Sequence, residues 1–101
     1  MKVDIKSENG SVVAALSGEI DHHNAKEIRE QLDRYIISTQ PEELTMDFKN
    51  ISFMDSSGIG LVMGRYKQLT MMGGKLIVTN IPSHLLGIFR LSGLGGLGVL
   101  R

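Results

Sequence analysis

The sequence predicts an α/β fold: one domain whose N-terminal hairpin leads into a mixed, mostly parallel sheet with helices packed on it. Three observations predict it. An Asn9-Gly10 pair separates two strand-like runs, a strong hairpin signal. After that pair, helical and strand periodicities alternate, which implies parallel strands joined by right-handed crossovers. The chain has 101 residues, 42% of them apolar, enough for one core and too apolar for disorder. Residues 1–101 are therefore read as one domain.

The elements follow in order. Val3 and Ile5 alternate with polar residues, and Val12-Val13-Ala14-Ala15-Leu16 lies beyond the Asn-Gly turn, so the chain starts as an antiparallel pair. Ser17-Gly18-Glu19-Ile20-Asp21 leads into a first helix, in which Ala25, Ile28, Leu32, Tyr35 and Ile36 recur at helical spacing. Asp21 is the expected N-cap, its carboxylate reaching open N–H groups. Ser38-Thr39-Gln40-Pro41 ends that helix.

Leu44 to Phe48 alternates cleanly, as a strand with one partly open face would. Lys49-Asn50 is expected to break it, with Ile51-Ser52-Phe53-Met54 resuming. A second helix is predicted from Ser56 to Met72, with Ile59, Val62, Met63, Tyr66 and Leu69 as its apolar stripe and Arg65, Lys67 and Gln68 off it. Gly73-Gly74 stops it. Lys75 to Thr79 is a short strand. Pro82 opens a third helix carrying Leu85, Leu86, Ile88 and Phe89, closed by Ser92-Gly93. Leu97-Gly98-Val99-Leu100 is expected as a last edge strand, weakened by its glycines.

Composition excludes several functions. Eleven basic residues balance eleven acidic ones, so no general electrostatic attraction draws the chain to nucleic acid or an anionic membrane. Cysteine is absent, which removes disulfides and thiolate metal sites and fits a reducing cytoplasm. No segment approaches the roughly 18 apolar residues of a membrane span, and the amino terminus has no apolar signal core.

The chemistry concentrates at Phe53-Met54-Asp55-Ser56-Ser57-Gly58-Ile59-Gly60. Two hydroxyls stand where a helix leaves its first N–H groups unpaired, a place that favours an anion. One reading is a plain capping segment with Asp55 as N-cap. The other is a phosphoacceptor, on which a phosphate would add about −1.5 to −2 charges, spare the helix and repel a partner pressed against it. Gly60 and Gly64 share a helical face, either packed against the sheet or left flat for a partner. Met54, Met63, Met71 and Met72 cluster around the helix, as core filling or as an adaptable surface.

Other chemistries fit poorly. The glycine spacing matches neither a dinucleotide fingerprint nor a Walker loop. Asp21-His22-His23 lacks a third metal ligand of suitable spacing, and His84 is isolated. Ser57 lacks the Gly-x-Ser-x-Gly elbow of a hydrolase. A phospho-aspartate receiver would need an acidic magnesium cluster that no earlier strand end supplies. Asp21 instead stands as an acid near the serines, because loops at the carboxyl ends of parallel strands converge. No cofactor is expected.

Gly18-Glu19-Ile20-Asp21-His22-His23, the Asp55-Ser56-Ser57-Gly58 block and Gly64-Arg65-Tyr66-Lys67-Gln68 resemble the STAS-domain anti-sigma factor antagonists. Gly73-Gly74-Lys75 and Phe89-Arg90-Leu91-Ser92-Gly93-Leu94 fit as well, so the likeness spans nearly the whole chain. Asp-Ser-Ser-Gly marks the broad family; Asp-His-His and Gly-Arg-Tyr-Lys-Gln point to its sporulation branch, acting on sigma-F. The glycine-rich Gly95-Gly96-Leu97-Gly98 end departs from the pattern. The resemblance implies a cytoplasmic regulator, not an enzyme. Unphosphorylated, such a protein binds an anti-sigma factor that is also an ATP- or ADP-bound serine kinase, and the sigma factor is released. The kinase phosphorylates the second serine, here Ser57, and a serine phosphatase reverses this. The implied partner surface is Asp21, Asp55, Ser56, Ser57, Gly58, Ile59 and Gly60. The alternatives are a STAS module of a stress-response pathway, with the same chemistry and another kinase, and a small nucleotide-binding domain.

Overall fold

A computed structural model describes residues 2–101. Strands β1 (Lys2–Glu8), β2 (Ser11–Ile20), β3 (Glu43–Met54) and β4 (Lys75–Thr79) form one four-stranded sheet in sequence order. β1 is antiparallel to β2; β3 runs parallel to β2, and β4 to β3. Helices α1 (Ala25–Thr39) and α2 (Ser56–Met71) make the crossovers. A 3-10 turn at Ser83–Leu85 opens α3 (Leu86–Leu91), and a second 3-10 turn covers Leu94–Leu97. The hairpin turn puts Asn9 at φ 51° and Gly10 at φ 85°, the paired positive values of a tight turn that asparagine and glycine tolerate best.

Strand alternation decides which face is covered. Val12, Ala14 and Leu16 of β2, Leu44, Met46 and Phe48 of β3, and Leu76 and Val78 of β4 are buried. They pack with Ile28, Leu32 and Ile36 of α1, Leu61, Val62 and Leu69 of α2, and Phe89 of α3. Phe89 meets Phe48 edge to face, with ring centroids 5.4 Å apart. The alternate residues are only partly covered, and Val13 is 41% exposed, so the opposite face is open. Three buried aliphatics on α2 contribute about 1.5–3 kcal/mol each. That outweighs about 1 kcal/mol of lost helix propensity for each of Gly58, Gly60 and Gly64, so packing holds this glycine-rich helix.

Four expectations are corrected. Regular helix α1 begins at Ala25, not directly after Asp21. Asp21 caps the turn before it: its Oδ1 accepts the N–H groups of His23 at 2.8 Å and Asn24 at 3.1 Å. β3 does not break at Lys49-Asn50. Its register against β2 shifts twice, between Ala15 and Ser17 and between Gly18 and Glu19. Each bulge takes an extra β3 residue, so Ile51 and Met54 return to the core.

The stripe of α2 is rotated. Gly58, Leu61, Val62, Arg65 and Leu69 are buried, whereas Ile59, Met63 and Tyr66 sit partly covered at its margin. The cause is α1, which packs beside α2 and supplies Asp33 as partner to Arg65, Nε to Oδ1 at 3.1 Å. The last strand shrinks to one parallel bridge, Val78 to Leu100. Val78 donates its N–H to the Val99 carbonyl at 2.7 Å, and Arg101 donates to Val78 at 2.9 Å. The 3-10 turn and Gly98, at φ 72°, use up the residues before it.

Candidate functional site

Parallel pairing of β2 and β3 brings the two acids together. Ile20 stands opposite Met54, and the Asp55 N–H donates to the Ile20 carbonyl at 3.1 Å. Asp21 and Asp55 therefore leave the carboxyl edge of the sheet side by side. Asn24 ties down the first turn: its Oδ1 accepts the Asp21 N–H at 3.0 Å and its Nδ2 donates to the Glu19 carbonyl at 2.8 Å.

Asp55 is the N-cap of α2. Its backbone is extended, and its Oδ1 accepts the Ser57 N–H at 2.8 Å. Oδ2 accepts the His22 N–H at 3.3 Å, linking the two turns. The Ser57 N–H holds the Asp55 carboxyl below its ordinary value of 3.8, against the opposing effect of desolvation, with further lowering from the Ser57 hydroxyl and from His22. The Gly58 N–H is also taken, by the Asp55 carbonyl at 3.0 Å. The expectation of unpaired N–H groups here is thus corrected: at Ser57 and Gly58 they are already satisfied.

The surface residues divide clearly. Ser56 and Gly60 are exposed; Ser57 and Ile59 are half-buried. Gly58 is buried, and a Cβ there would overlap the Met54 side chain. Gly60 and Gly64 have nothing within 4 Å of a Cβ position, so close packing does not account for them and their face is open. Met71 and Met72 are exposed, whereas Met54 is in the core.

Ser57 and Gly60 line one wall of a cleft of about 300 Å³, together with Leu61 and with Ala25, Lys26 and Arg29 of α1. The two cations were missed by the motif reading. Their signal was present: they lie one and two turns past Asp-His-His, at the i, i+3 spacing that shares a face. Phe53 was missed as well. It is 49% exposed beside the capped turn, because the bulge ahead of it breaks the alternation.

Each histidine of the pair faces a capping carboxylate. His22 Nδ1 is 3.7 Å from Asp55 Oδ2, and His23 Nδ1 is 3.9 Å from Asp21 Oδ1. Among the described residues, no group of three His, Cys, Asp or Glu side chains could hold a metal ion. His84 lies elsewhere, its Nε2 3.0 Å from the Ser52 carbonyl oxygen. No helix among the described residues is long and apolar enough to cross a membrane.

A four-stranded mixed sheet with a capped Asp-Ser-Ser-Gly turn at the start of its second crossover helix defines a small class of α/β modules. The STAS domain model matches residues 2–98, and the chain belongs to the STAS family. It is 35% identical to the anti-sigma F factor antagonist of Paenibacillus polymyxa over 93% of this chain and 80% of that protein. It is 32% identical to the anti-sigma-B factor antagonist of Bacillus subtilis (strain 168), over 93% of this chain and 84% of that one. The structure of the anti-sigma factor antagonist SpoIIAA in its unphosphorylated form superposes with a TM-score of 0.86 at 33% identity, covering 99% of this chain and 86% of the other. The structure of the Bacillus cell fate determinant SpoIIAA in its phosphorylated form gives 0.78 at 33%, covering 99% and 89%.

Proposed function

We propose that this chain is an anti-sigma factor antagonist controlled by phosphorylation of Ser57, a regulator and kinase substrate rather than an enzyme. The observation that carries the reading is the position of Ser57. Its backbone is fixed by the Asp55 cap while its side chain borders an open cleft, so a hydroxyl there can be modified with little cost to the core. Support comes from the SpoIIAA neighbour, which has been solved in both unphosphorylated and phosphorylated forms. Asp21, Asp55, Ser56, Ser57, Gly58, Ile59 and Gly60 form the partner surface, with Gly58 acting from beneath it through its fit against Met54. The unphosphorylated form binds an anti-sigma factor with serine kinase activity and frees its sigma factor. A serine phosphatase restores the binding form.

Incubation with that kinase and ATP, followed by mass spectrometry of the digested chain, tests the reading. Phosphate on Ser57 is expected; phosphate on Ser56 would move the site, and none on either would refute the switch. Sequence motifs favour sigma-F and sporulation. A stress-response role has its own support, since identity to the anti-sigma-B antagonist, 32%, is close to the 35% for the anti-sigma F antagonist. Retention of the sporulation kinase over the stress-response kinase in a pull-down with this chain decides between them.

A further inference from the structure

We infer that Lys26 and Arg29 of α1 are the counter-charges for the phosphate on Ser57, which modification seats in the cleft between α1 and α2. The inference rests on Ser57 as the modified residue and goes beyond it, because it concerns where the added charge is held. A phosphoserine brings about −1.5 to −2 charges. At this helix start two of the ordinary hosts are engaged: the Ser57 N–H bonds the Asp55 carboxylate and the Gly58 N–H bonds the Asp55 carbonyl. The Asp55 carboxylate, with Asp21 in the neighbouring turn, would also repel a dianion. Cationic compensation is available from another direction.

The far wall of the cleft supplies it. Lys26 and Arg29 line it opposite Ser57 and Gly60. Lys26 has a loose contact with Glu30 at 4.0 Å. Arg29 has no ion pair among the described residues. Arg29 acts against the positive charge of the buried Arg65, which Asp33 favours. An anion in the cleft relieves that repulsion and forms charge-assisted hydrogen bonds with a planar guanidinium. The titratable and charged groups on the elements around the cleft include Asp55, Asp21, His22 and His23 in the two capped turns, Lys26 and Arg29 on α1, and Arg65 on α2. The phosphate would be drawn along the helix pair, leaving a fixed negative charge beside the partner surface.

The test uses the full chain with phosphoserine installed at position 57 during translation, so it needs no kinase. Phosphorus NMR follows the second ionisation of the phosphate against pH in the parent chain and in Lys26→Gln, Arg29→Gln and doubly substituted chains. Lys75→Gln, at the opposite end of the sheet, controls for net charge. Asp55, Asp21, His22 and His23 are common to all, so the differences isolate the two cations. The double variant is expected to ionise about one pH unit higher than the parent, a tenfold change in proton affinity, with Arg29→Lys restoring most of it and Lys75→Gln moving little. Coincident titration curves would overturn the inference. So would coincident curves with weakened partner binding by the unphosphorylated variants, which would assign both cations to the partner interface. Absence of natural phosphate on Ser57 is a separate result: it refutes the switch and leaves these titrations interpretable.

Discussion

The Asp55 carboxylate accepts the backbone N–H of Ser57 at 2.8 Å, so the cap of α2 and the candidate phosphoacceptor are joined by one hydrogen bond. That bond carries a pH dependence. Folding lowers the Asp55 carboxyl below its ordinary 3.8. A group lowered on folding stabilises the fold fully above its unfolded value, and the contribution disappears as pH falls through the folded value. Urea midpoints measured between about pH 6 and pH 2 should therefore fall more steeply in the parent than in Asp55→Asn, which retains an acceptor oxygen and a good cap. Parallel curves would mean that the Ser57 N–H does not hold the carboxylate.

The glycines of α2 make a paired prediction. A Cβ at Gly58 would overlap Met54 Cγ and Sδ, and Met54 is buried in the core. Gly58→Ala should cost about 1–3 kcal/mol, the usual range for overpacking. Gly60 has open space around its Cβ position, so Gly60→Ala should stabilise the fold by about 0.5–1 kcal/mol through helix propensity. Thermal or urea denaturation checks both signs. If Gly60 lies under a docked partner, the same alanine weakens partner binding while raising stability, a split that no folding defect produces.

Much of this was legible in the chain itself. Asn9-Gly10 marked the hairpin, Leu44, Met46 and Phe48 marked the covered face of β3, and Asp55-Ser56-Ser57-Gly58 marked the capped start of α2. What could not be read depended on partners distant in sequence. Arg65 looks like a solvent residue until α1 brings Asp33 to it. The bulges of β3 have no local signature, so Lys49-Asn50 passed for a break and Phe53 was not seen as exposed. Open N–H groups at the start of α2 were inferred from helix geometry in general, whereas here Asp55 satisfies two of them. Lys26 and Arg29 became interesting only when α1 packed beside Ser57.

The Asp33–Arg65 pair predicts an asymmetry. Arg65 is 6% exposed, and burial pulls its guanidinium below the usual arginine range, with Asp33 opposing and Arg29 reinforcing that effect. Asp33→Ala leaves a buried cation without its partner. The loss should be about 2–3 kcal/mol, short of the 3–5 for a fully buried pair, because the Asp33 side chain is 30% exposed. Asp33→Ala with Arg65→Met should recover part of it, since an apolar side chain needs no counter-charge. A double-mutant cycle in urea measures the difference; a double variant no more stable than Asp33→Ala would show that the pair carries no such penalty.

The proposed switch predicts opposite outcomes for two small substitutions at one residue. Ser57→Ala removes only the hydroxyl. The Asp55 cap acts on the backbone N–H, so helix α2 and the surface over Ser56, Ile59 and Gly60 should survive unchanged. This variant should bind the anti-sigma factor as the parent does and keep binding after incubation with kinase and ATP. Ser57→Asp puts a permanent charge against Asp55 and beneath any docked surface. A single like charge in a desolvated interface costs several kcal/mol, and an aspartate that can swing toward Lys26 and Arg29 escapes some of that cost. Binding should still weaken by at least about tenfold, or ~1.4 kcal/mol. Titration calorimetry against the kinase, with circular dichroism melts to verify the fold, measures both. Equal affinity for the two variants would place the docked partner away from Ser57, whatever the phosphorylation state of that residue.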